Sequence, residues 1–225
     1  MADLLTWAPC SLLPAACSLL PAANFYQSRC GQARPWPVLQ STCPHRRLSA
    51  VMNPIDLRYT LCFLIHAEHI LMLKRERPPN RGLWNGVGGK IEPGETPVDA
   101  CLREVEEETG FRVQRLRFLG IMTWEGFEIP PGGLYLFSAP APEGPFRGAE
   151  EGLLRWWHKR WVFSSAEVVD NIHIFGPAMF ANLAPRWWHF CYDHGTIRDH
   201  QVRNLPAWVR IGGYRACCPK SSNTI

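Results

Sequence analysis

The stretch Gly89–Phe111 reads GKIEPGETPVDACLREVEEETGF, and its pattern predicts a helix. Thr96 suits the N-cap and Pro97 the first helical position, so we expect the helix to begin there. Gly110 can adopt the left-handed conformation that commonly ends a helix. Between these limits, apolar residues recur at the spacing of one helical face: Val98, Cys101, Leu102 and Val105. The stretch therefore predicts a helix from about Pro97 to Thr109.

A second face of this helix is acidic. Glu104, Glu107 and Glu108 stand at i, i+3 and i+4, a spacing that brings the three carboxylates within a few ångströms of one another. Like charges at this spacing repel and lower helix stability, so something must offset them. A hard cation such as Mg²⁺ or Mn²⁺ does so, since it prefers carboxylate oxygens and binds phosphate oxygens at the same time. A solvated acidic face is the alternative for such a run taken alone.

The whole stretch resembles the Nudix box, G-x5-E-x7-R-E-U-x-E-E-x-G-U, where U is apolar. Every constrained position is matched: Gly89, Glu95, Arg103, Glu104, Val105, Glu107, Glu108, Gly110 and Phe111. The resemblance implies an α/β fold, an α/β/α sandwich with a mixed sheet, in which the box forms a loop–helix–loop motif. The fixed spacing of so many residue types makes this a specific signal for a Nudix hydrolase.

The resemblance also implies roles for residues of the box. It implies that Glu104, Glu107 and Glu108 are the catalytic residues and bind Mg²⁺ or Mn²⁺, and that one of them acts as base. The Gly89 carbonyl is expected among the metal ligands. The remaining motif residues are expected to be structural, with one ion pair tying the loop to the helix: Glu95, Arg103 and Gly110.

Residues outside the box indicate the substrate. Leu83–Lys90 reads LWNGVGGK and resembles MutT-like purine nucleoside triphosphatases, in which the Asn reads the base edge. Asn85 suits this role because an amide both donates and accepts hydrogen bonds. A turn Asn before Gly86 is the alternative interpretation.

A second local match lies at Val169–Ile172. Mammalian relatives carry two adjacent Asp residues facing the base there; Asp170 matches the first, and Asn171 replaces the second. Alternatively, Asp170 only caps the following helix. Thr60, in the first predicted strand, resembles a Thr that lines the relatives' pocket, although a strand hydroxyl is often only structural.

Further candidates follow from their positions along the chain. We expect one of Lys74 and Arg75, which close the second predicted strand, to contact phosphates, and Lys74 is preferred. Trp124, with Phe127 as the alternative, is expected to stack on the base. Glu151, preferred over Glu150, is expected to be an additional metal ligand. Solvated surface residues or core packing are the alternatives for all of these.

The rest of the pattern predicts one domain at residues 52–206. Residues 1–51 contain the repeat CSLLPAA-CSLLPAA and many prolines without periodicity, so we expect disorder there, and residues 207–225 are expected to form a flexible tail. Residues Ile174–Ala184 are expected to form a second helix. The predicted strands are Tyr59–Ile65, Ile70–Leu73, Leu83–Val87, Arg117–Trp124, Gly133–Ser138, Leu153–Val162, Trp187–Tyr192 and Thr196–Val202.

Composition limits the possible partners. The net charge of +4 suits a small anionic substrate and is too mild to indicate stable nucleic-acid binding. No stretch is apolar enough to cross a membrane. The cysteines show no C-x-x-C pair, and Cys62, Cys101 and Cys191 are expected to be buried thiols in a reducing compartment, the cytoplasm. We expect a monomer, with a dimer as the alternative.

The sequence therefore predicts metal-dependent hydrolysis of nucleoside triphosphates, oxidised purines such as 8-oxo-dGTP preferred, to a nucleoside monophosphate and pyrophosphate. Other Nudix substrates remain alternatives: ADP-ribose, dinucleoside polyphosphates or capped RNA 5′ ends. A nucleotide-binding module without activity is the third possibility, but such modules usually lose box carboxylates, and all of them are present here.

The segment 1–51 generates the first prediction. A chain starting at Met52 should keep the melting temperature and kcat/KM of the full chain, because the proline-rich repeat cannot bury a core of its own. Thermal unfolding and steady-state kinetics of the two chains test this. A clear loss of either quantity would mean that the segment packs on the domain.

Overall fold

A computed structural model describes residues 55–147, 152–181 and 183–212. In this part of the chain, strands dominate and only one helix exceeds one turn. A short 3-10 helix at Gly176–Met179 follows α3. The other elements are, in chain order, β1 (Leu57–His66), β2 (His69–Arg75), β3 (Trp84–Asn85), α1 (Pro97–Thr109), β4 (Arg117–Glu125), β5 (Gly132–Pro140), β6 (Gly152–His158), α2 (Lys159–Val162), α3 (Ile172–Phe175), β7 (Arg186–Asp193) and β8 (Thr196–Asn204).

The strands form one mixed sheet. Its order is β3-β2-β1-β5-β4-β7-β8, and β6 pairs with β2. The pairs β1–β5 and β4–β7 are parallel, and the other pairs are antiparallel. Parallel neighbours are expected where helices cover the sheet, because their connections must cross over a face.

Alternate residues of β1 supply two separate cores. Leu61 and Phe63 belong to a cluster that includes residues of α2 and α3. Cys62 and Leu64 belong to a second cluster, built with the apolar stripe of α1, whose buried members are Val98, Cys101 and Val105. Since successive strand residues point to opposite faces, the sheet lies between two helical layers. The mixed α/β sandwich predicted from the sequence is confirmed.

Local capping sets the ends of α1. The Thr96 hydroxyl accepts a hydrogen bond from the Asp99 N–H (3.2 Å) and donates one to the Asp99 carboxylate (2.7 Å). Gly110 has a φ of 74° and donates its N–H to the Glu106 carbonyl. These contacts satisfy backbone groups that a helix end leaves unpaired. The predicted bounds of Pro97 and Thr109 are confirmed.

Two predicted elements are wrong. The strand expected over Leu153–Val162 ends at His158, whose ring accepts the Arg160 N–H and starts α2. The helix expected over Ile174–Ala184 is instead α3, which ends at Phe175. Pro177 has no N–H to continue the ladder, so only a 3-10 turn follows.

Packing continues beyond residue 206, where the sequence analysis ends the domain. Leu205, Val209 and Ile211 are partly buried against the α1-side cluster. Residues 1–51, 213–225 and Glu151 lie outside the described residues. Within the described part, Cys62, Cys101 and Cys191 are buried and form no disulfide, as expected. No helix there is both long and apolar enough to cross a membrane.

The Thr96 cap generates the second prediction. Thr96→Ala should lower the free energy of unfolding by about 1 kcal/mol, because it leaves the Asp99 N–H without its partner. Thr96→Ser is the matched control, since it keeps the hydroxyl. Urea unfolding of both variants makes the measurement. An equal loss in Ala and Ser variants would assign the effect to methyl packing near Gly212 instead of the cap.

Candidate functional site

Arg103 joins the box loop to the helix. Its Nε lies 2.7 Å and its Nη2 lies 2.9 Å from the two Glu95 carboxylate oxygens, a bidentate ion pair. Nη2 also donates to the Lys90 carbonyl (3.1 Å). The hydrogen bond from Arg103, and after it one from the Glu92 backbone, lowers the pKa of Glu95 to about 2. The pair therefore stays charged at any pH where the protein is expected to work.

The same guanidinium contacts the acidic face of α1. Nη1 donates to Glu104 Oε1 (2.9 Å) and to Glu107 Oε2 (3.0 Å). These carboxylates differ in exposure: the Glu104 side chain is 15% exposed and the Glu107 side chain 59%. Arg103 thus offsets part of the repulsion between these carboxylates, a role that was expected of a bound metal.

The two glycines that precede the box helix touch its carboxylates. The Gly88 N–H donates to Glu108 Oε2 (2.7 Å), and Glu108 is only 6% exposed. A Cβ placed on Gly89 would lie 2.5 Å from Glu104 Oε1, so a larger residue there would displace the Glu104 carboxylate. The Gly89 carbonyl accepts the Thr60 N–H (2.9 Å) and keeps a second lone pair.

Carboxylate oxygens of Glu104 and Glu108 thus cluster beside the Gly88–Gly89 backbone. Carboxylate and carbonyl oxygens are the ligands that Mg²⁺ and Mn²⁺ prefer, so the donor set fits a hard divalent cation. The close approach of the Glu104 carboxylate to the Gly89 backbone supports the fit, since both residues can supply oxygen ligands.

A cavity of about 270 Å³ opens beside this cluster. Gly88, Gly89 and Lys90 are part of its wall. Its apolar lining combines flat aromatic rings with aliphatic side chains, namely Tyr59, Leu61, Met122, Trp124, Phe127, Ile129 and Leu134. Its walls also carry three uncharged polar side chains predicted from the sequence, Thr60, Asn85 and Asn171.

Two of the polar side chains can meet a ligand directly. The Thr60 hydroxyl is buried and has no hydrogen-bond partner among the described residues. The Asn85 carbonyl oxygen accepts the Gly86 N–H (2.9 Å), so Asn85 both shapes a turn and lines the cavity. The two interpretations of Asn85 made from the sequence are therefore compatible.

Asn171 is held in one orientation by its neighbours. Its Nδ2 donates to the Tyr192 hydroxyl oxygen (3.0 Å), and this hydroxyl is also hydrogen-bonded to Asp170. Burial, and after it the charge of Asp170, raises the pKa of Tyr192, which keeps the hydroxyl protonated. An ionised carboxylate only accepts, so the hydroxyl proton goes to Asp170 and its oxygen accepts from Asn171. The amide oxygen of Asn171 remains as an acceptor.

Asp170 itself is not among the residues that line the cavity. Its Oδ1 accepts the Asn171 N–H (2.7 Å), and burial raises the pKa of its carboxyl. Asp170 is joined to the cavity wall only through the Tyr192 hydroxyl and Asn171, and its direct contact with a base stays a prediction. Nor does its side chain cap α3, whose N-cap is Asn171 without a side-chain capping bond.

Lys74 also departs from its expected place. Its Nζ lies 3.6 Å from the Glu167 carboxylate and 5.7 Å from the centre of the Trp84 ring, and it does not line the cavity. Successive strand residues point to opposite faces, and the next residue, Arg75, does line it. Trp124 is in the wall and donates its Nε1–H to the Pro130 carbonyl (3.1 Å).

Lys90 and Tyr192 line the wall but were not predicted as binding residues, and Arg75 was considered for the phosphates beside Lys74, which was preferred. The strand alternation around Lys74 could have indicated Arg75. Lys90 stands next to the first Gly of the box, a position that could have suggested contact with phosphates. No local signal indicates Tyr192, because its contact with Asn171 joins residues far apart in the sequence.

Comparison with known proteins agrees with this geometry. The family model for the NUDIX domain matches residues 57–183, more than half of the chain. The oxidized purine nucleoside triphosphate hydrolase of Mus musculus is 33% identical over 152 residues, covering 67% of this chain and 96% of its own. Its Danio rerio counterpart is 31% identical over 144 residues, covering 64% and 92%.

A solved structure is also similar. The MutT protein from Bacillus halodurans is 26% identical, with a TM-score of 0.56, and the match covers 64% of this chain and 96% of that one. The residues that the family model matches, 57–183, contain the box and most residues of the cavity wall. This chain belongs to the NUDIX domain family and is a Nudix hydrolase.

Proposed function

We propose that this hydrolase cuts nucleoside triphosphates, with oxidised purines preferred, to a nucleoside monophosphate and pyrophosphate. The observation that carries the proposal is the position of Gly88 and Gly89. They line a base-sized cavity and also lie against Glu108 and Glu104 of the box. A nucleotide with its base in the cavity thus has its phosphates beside the carboxylates. The relatives named as oxidized purine nucleoside triphosphate hydrolases support this choice of substrate.

Glu104, Glu107, Glu108 and the Gly89 carbonyl would hold Mg²⁺ or Mn²⁺. When bound, the metal neutralises charge on the phosphate oxygens and lowers the pKa of the attacking water. Arg103 holds Glu104 and Glu107 in place through Nη1, and the Gly88 N–H fixes one oxygen of Glu108. A glutamate of this set accepts the proton of the water. Glu151, which lies outside the described residues, stays a proposed additional ligand.

Cations of the cavity wall are suited to the phosphates. Arg75 and Lys90 line it, and Lys90 stands directly after the Gly89 backbone. The Arg75 Nε donates to the Pro79 carbonyl (2.9 Å), which fixes the guanidinium while its other N–H groups stay available. These two residues take the role that the sequence analysis gave to Lys74.

The base is read by polar groups set into an apolar wall. Trp124 and Phe127 offer flat surfaces for a purine, while Thr60, Asn85 and Asn171 are placed to meet its edge. The free acceptor of Asn171 favours bases that present an N–H. Oxidation at C8 of guanine creates one, because N7 changes from acceptor to donor. Buried thiols without disulfides among the described residues support action in the cytoplasm, and the proposal includes a monomer that acts on free nucleotides.

The third prediction concerns the box carboxylates. Glu107→Gln or Glu108→Gln should lower kcat by a factor on the order of 10² or more, with a modest change in nucleotide binding, because each change removes a charged metal ligand. Steady-state kinetics in excess Mg²⁺ make the measurement. Glu106→Gln is the matched control, since Glu106 lies on the same helix but pairs with Arg112. Near wild-type turnover in both box variants would remove the assignment of these residues as ligands.

The fourth prediction concerns base selection. Wild-type kcat/KM should be higher for 8-oxo-dGTP than for dGTP. Asn85→Ala and Asn171→Ala should each lower kcat/KM for 8-oxo-dGTP by roughly ten- to a hundredfold, through KM, since a lost buried hydrogen bond costs about 1–3 kcal/mol. Tyr192→Phe tests positioning: it keeps the ring but removes the hydroxyl that orients Asn171, so it should reduce the preference for 8-oxo-dGTP over dGTP.

Control substrates distinguish base reading from general damage. Each variant is measured with 8-oxo-dGTP, dGTP and dCTP, and its melting temperature is recorded. Equal losses on all three substrates would contradict base reading by these residues. A wild-type enzyme indifferent to the base would contradict the oxidised-purine proposal, and activity on ADP-ribose or dinucleoside polyphosphates alone would replace it.

A further inference from the structure

We propose that Glu125, His189 and Cys191 form a second metal site, specific for Zn²⁺ and separate from the box. Their ligand atoms lie within 4.8 Å of one another. The site belongs to the sheet face opposite the nucleotide cavity. Trp124 and Tyr192, the sequence neighbours of Glu125 and Cys191, line the cavity, and successive strand residues point to opposite faces.

The backbone pairing of two central strands holds these residues together. Glu125 is the last residue of β4 and is the register partner of Cys191 on the parallel strand β7. His189 stands two residues before Cys191 and is therefore on the same face. A site built on paired strands is rigid, so its ligands need no large backbone rearrangement to bind a metal.

The distances match those of a zinc site. Cys191 Sγ lies 3.1 Å from Glu125 Oε1 and 3.7 Å from His189 Nε2, and His189 Nε2 lies 3.8 Å from Glu125 Oε1. Zinc bonds of about 2.3 Å to sulfur and about 2.0–2.2 Å to nitrogen or oxygen, in tetrahedral geometry, put the ligand atoms roughly 3.3–3.6 Å apart. Small side-chain rotations cover the difference, and the Glu125 side chain is 51% exposed and free to make them.

The histidine has the outer support that metal-binding histidines generally have. His189 Nδ1 lies 2.8 Å from the Thr123 hydroxyl oxygen, which also accepts the Trp187 Nε1–H (2.8 Å). A hydroxyl oxygen accepts two hydrogen bonds, so it can take the Nδ1–H as well. This tautomer leaves Nε2, the nitrogen facing Cys191 and Glu125, unprotonated and able to bind a metal.

The three ligand types at this site favour Zn²⁺, a borderline-soft ion, over Mg²⁺. A thiolate and an imidazole suit Zn²⁺, whereas the all-oxygen box suits Mg²⁺ or Mn²⁺. The Cys191 thiol donates a hydrogen bond to Glu125. When a metal binds, the sulfur loses this proton to solvent and binds the metal as a thiolate. Three protein ligands leave a fourth position for water on the exposed side of Glu125. Asp199 of β8, the register partner of Cys191, adds negative charge nearby.

Cobalt is the probe, because a thiolate bound to Co²⁺ gives a near-ultraviolet charge-transfer band and oxygen ligands do not. The full chain, stripped of metal and held in excess Mg²⁺ to occupy the box, is titrated with Co²⁺ and then with Zn²⁺. We expect a band at one equivalent of Co²⁺, displaced by Zn²⁺ and lost in Cys191→Ser. The other cysteines are unchanged in that variant, so the difference spectrum isolates Cys191. Cys101→Ala is the matched control and should keep the band.

Substitutions of Thr123, whose hydroxyl supports His189, give a second test through the affinity for Co²⁺. Thr123→Val should weaken Co²⁺ binding about 10- to 100-fold while the band keeps its shape, and Thr123→Ser, which keeps the hydroxyl, should bind as the wild type does. Zn²⁺ should also raise the melting temperature of the wild type and leave that of Cys191→Ser unchanged. A difference spectrum without a thiolate band, or equal Zn²⁺ stabilisation of both proteins, would overturn the proposal and leave a hydrogen-bonded cluster without metal.

Discussion

The site depends on one side chain, that of Arg103, which contacts three carboxylates at once. An α-helix with three glutamates on adjacent turns is destabilised by their repulsion, and the guanidinium offsets it for Glu104 and Glu107 while holding Glu95 in the loop. The side chain of Arg103 is only 29% exposed, so solvent screens these contacts less than a surface pair. The acidic face is therefore held in a defined arrangement before a metal binds.

The position of that face fixes the cavity as well. A Cβ at Gly89 would displace the Glu104 carboxylate, and Glu108 accepts the Gly88 N–H. The Gly88–Gly89 backbone lies between α1 and β1, where Gly89 pairs with Thr60 and Val87 pairs with Cys62. The loop therefore joins the helix to the sheet, and the cavity that it lines with β1 is next to the box carboxylates.

Local signals explain what the sequence predicted well. The cap residues and the apolar stripe of α1 are encoded within a few residues of where they act, and the helix bounds were predicted without error. The second helix predicted over Ile174–Ala184 does not form, because Pro177 prevents its continuation. At the site, Lys74 and Asp170 do not line the cavity, whereas Arg75 and Asn171, each one residue further along the chain, do. Which of two neighbouring side chains meets the cavity depends on the face of the sheet it occupies, and this is a tertiary property.

The alternation of side chains along a strand also separates the cavity from the proposed zinc ligands. On β4 and β7, Trp124 and Tyr192 face the nucleotide cavity, while Glu125 and Cys191 face away from it. A slip of one residue would exchange these sets and put a thiol and a carboxylate into the base pocket. The pairing of β7 with β8 shifts its register between Cys191 and Tyr192. Cys191 pairs with Asp199, whereas Tyr192 pairs with Ile197, so one residue of β8 is skipped. The extra residue is thus on β8, so the alternation of β7, on which both faces depend, is preserved.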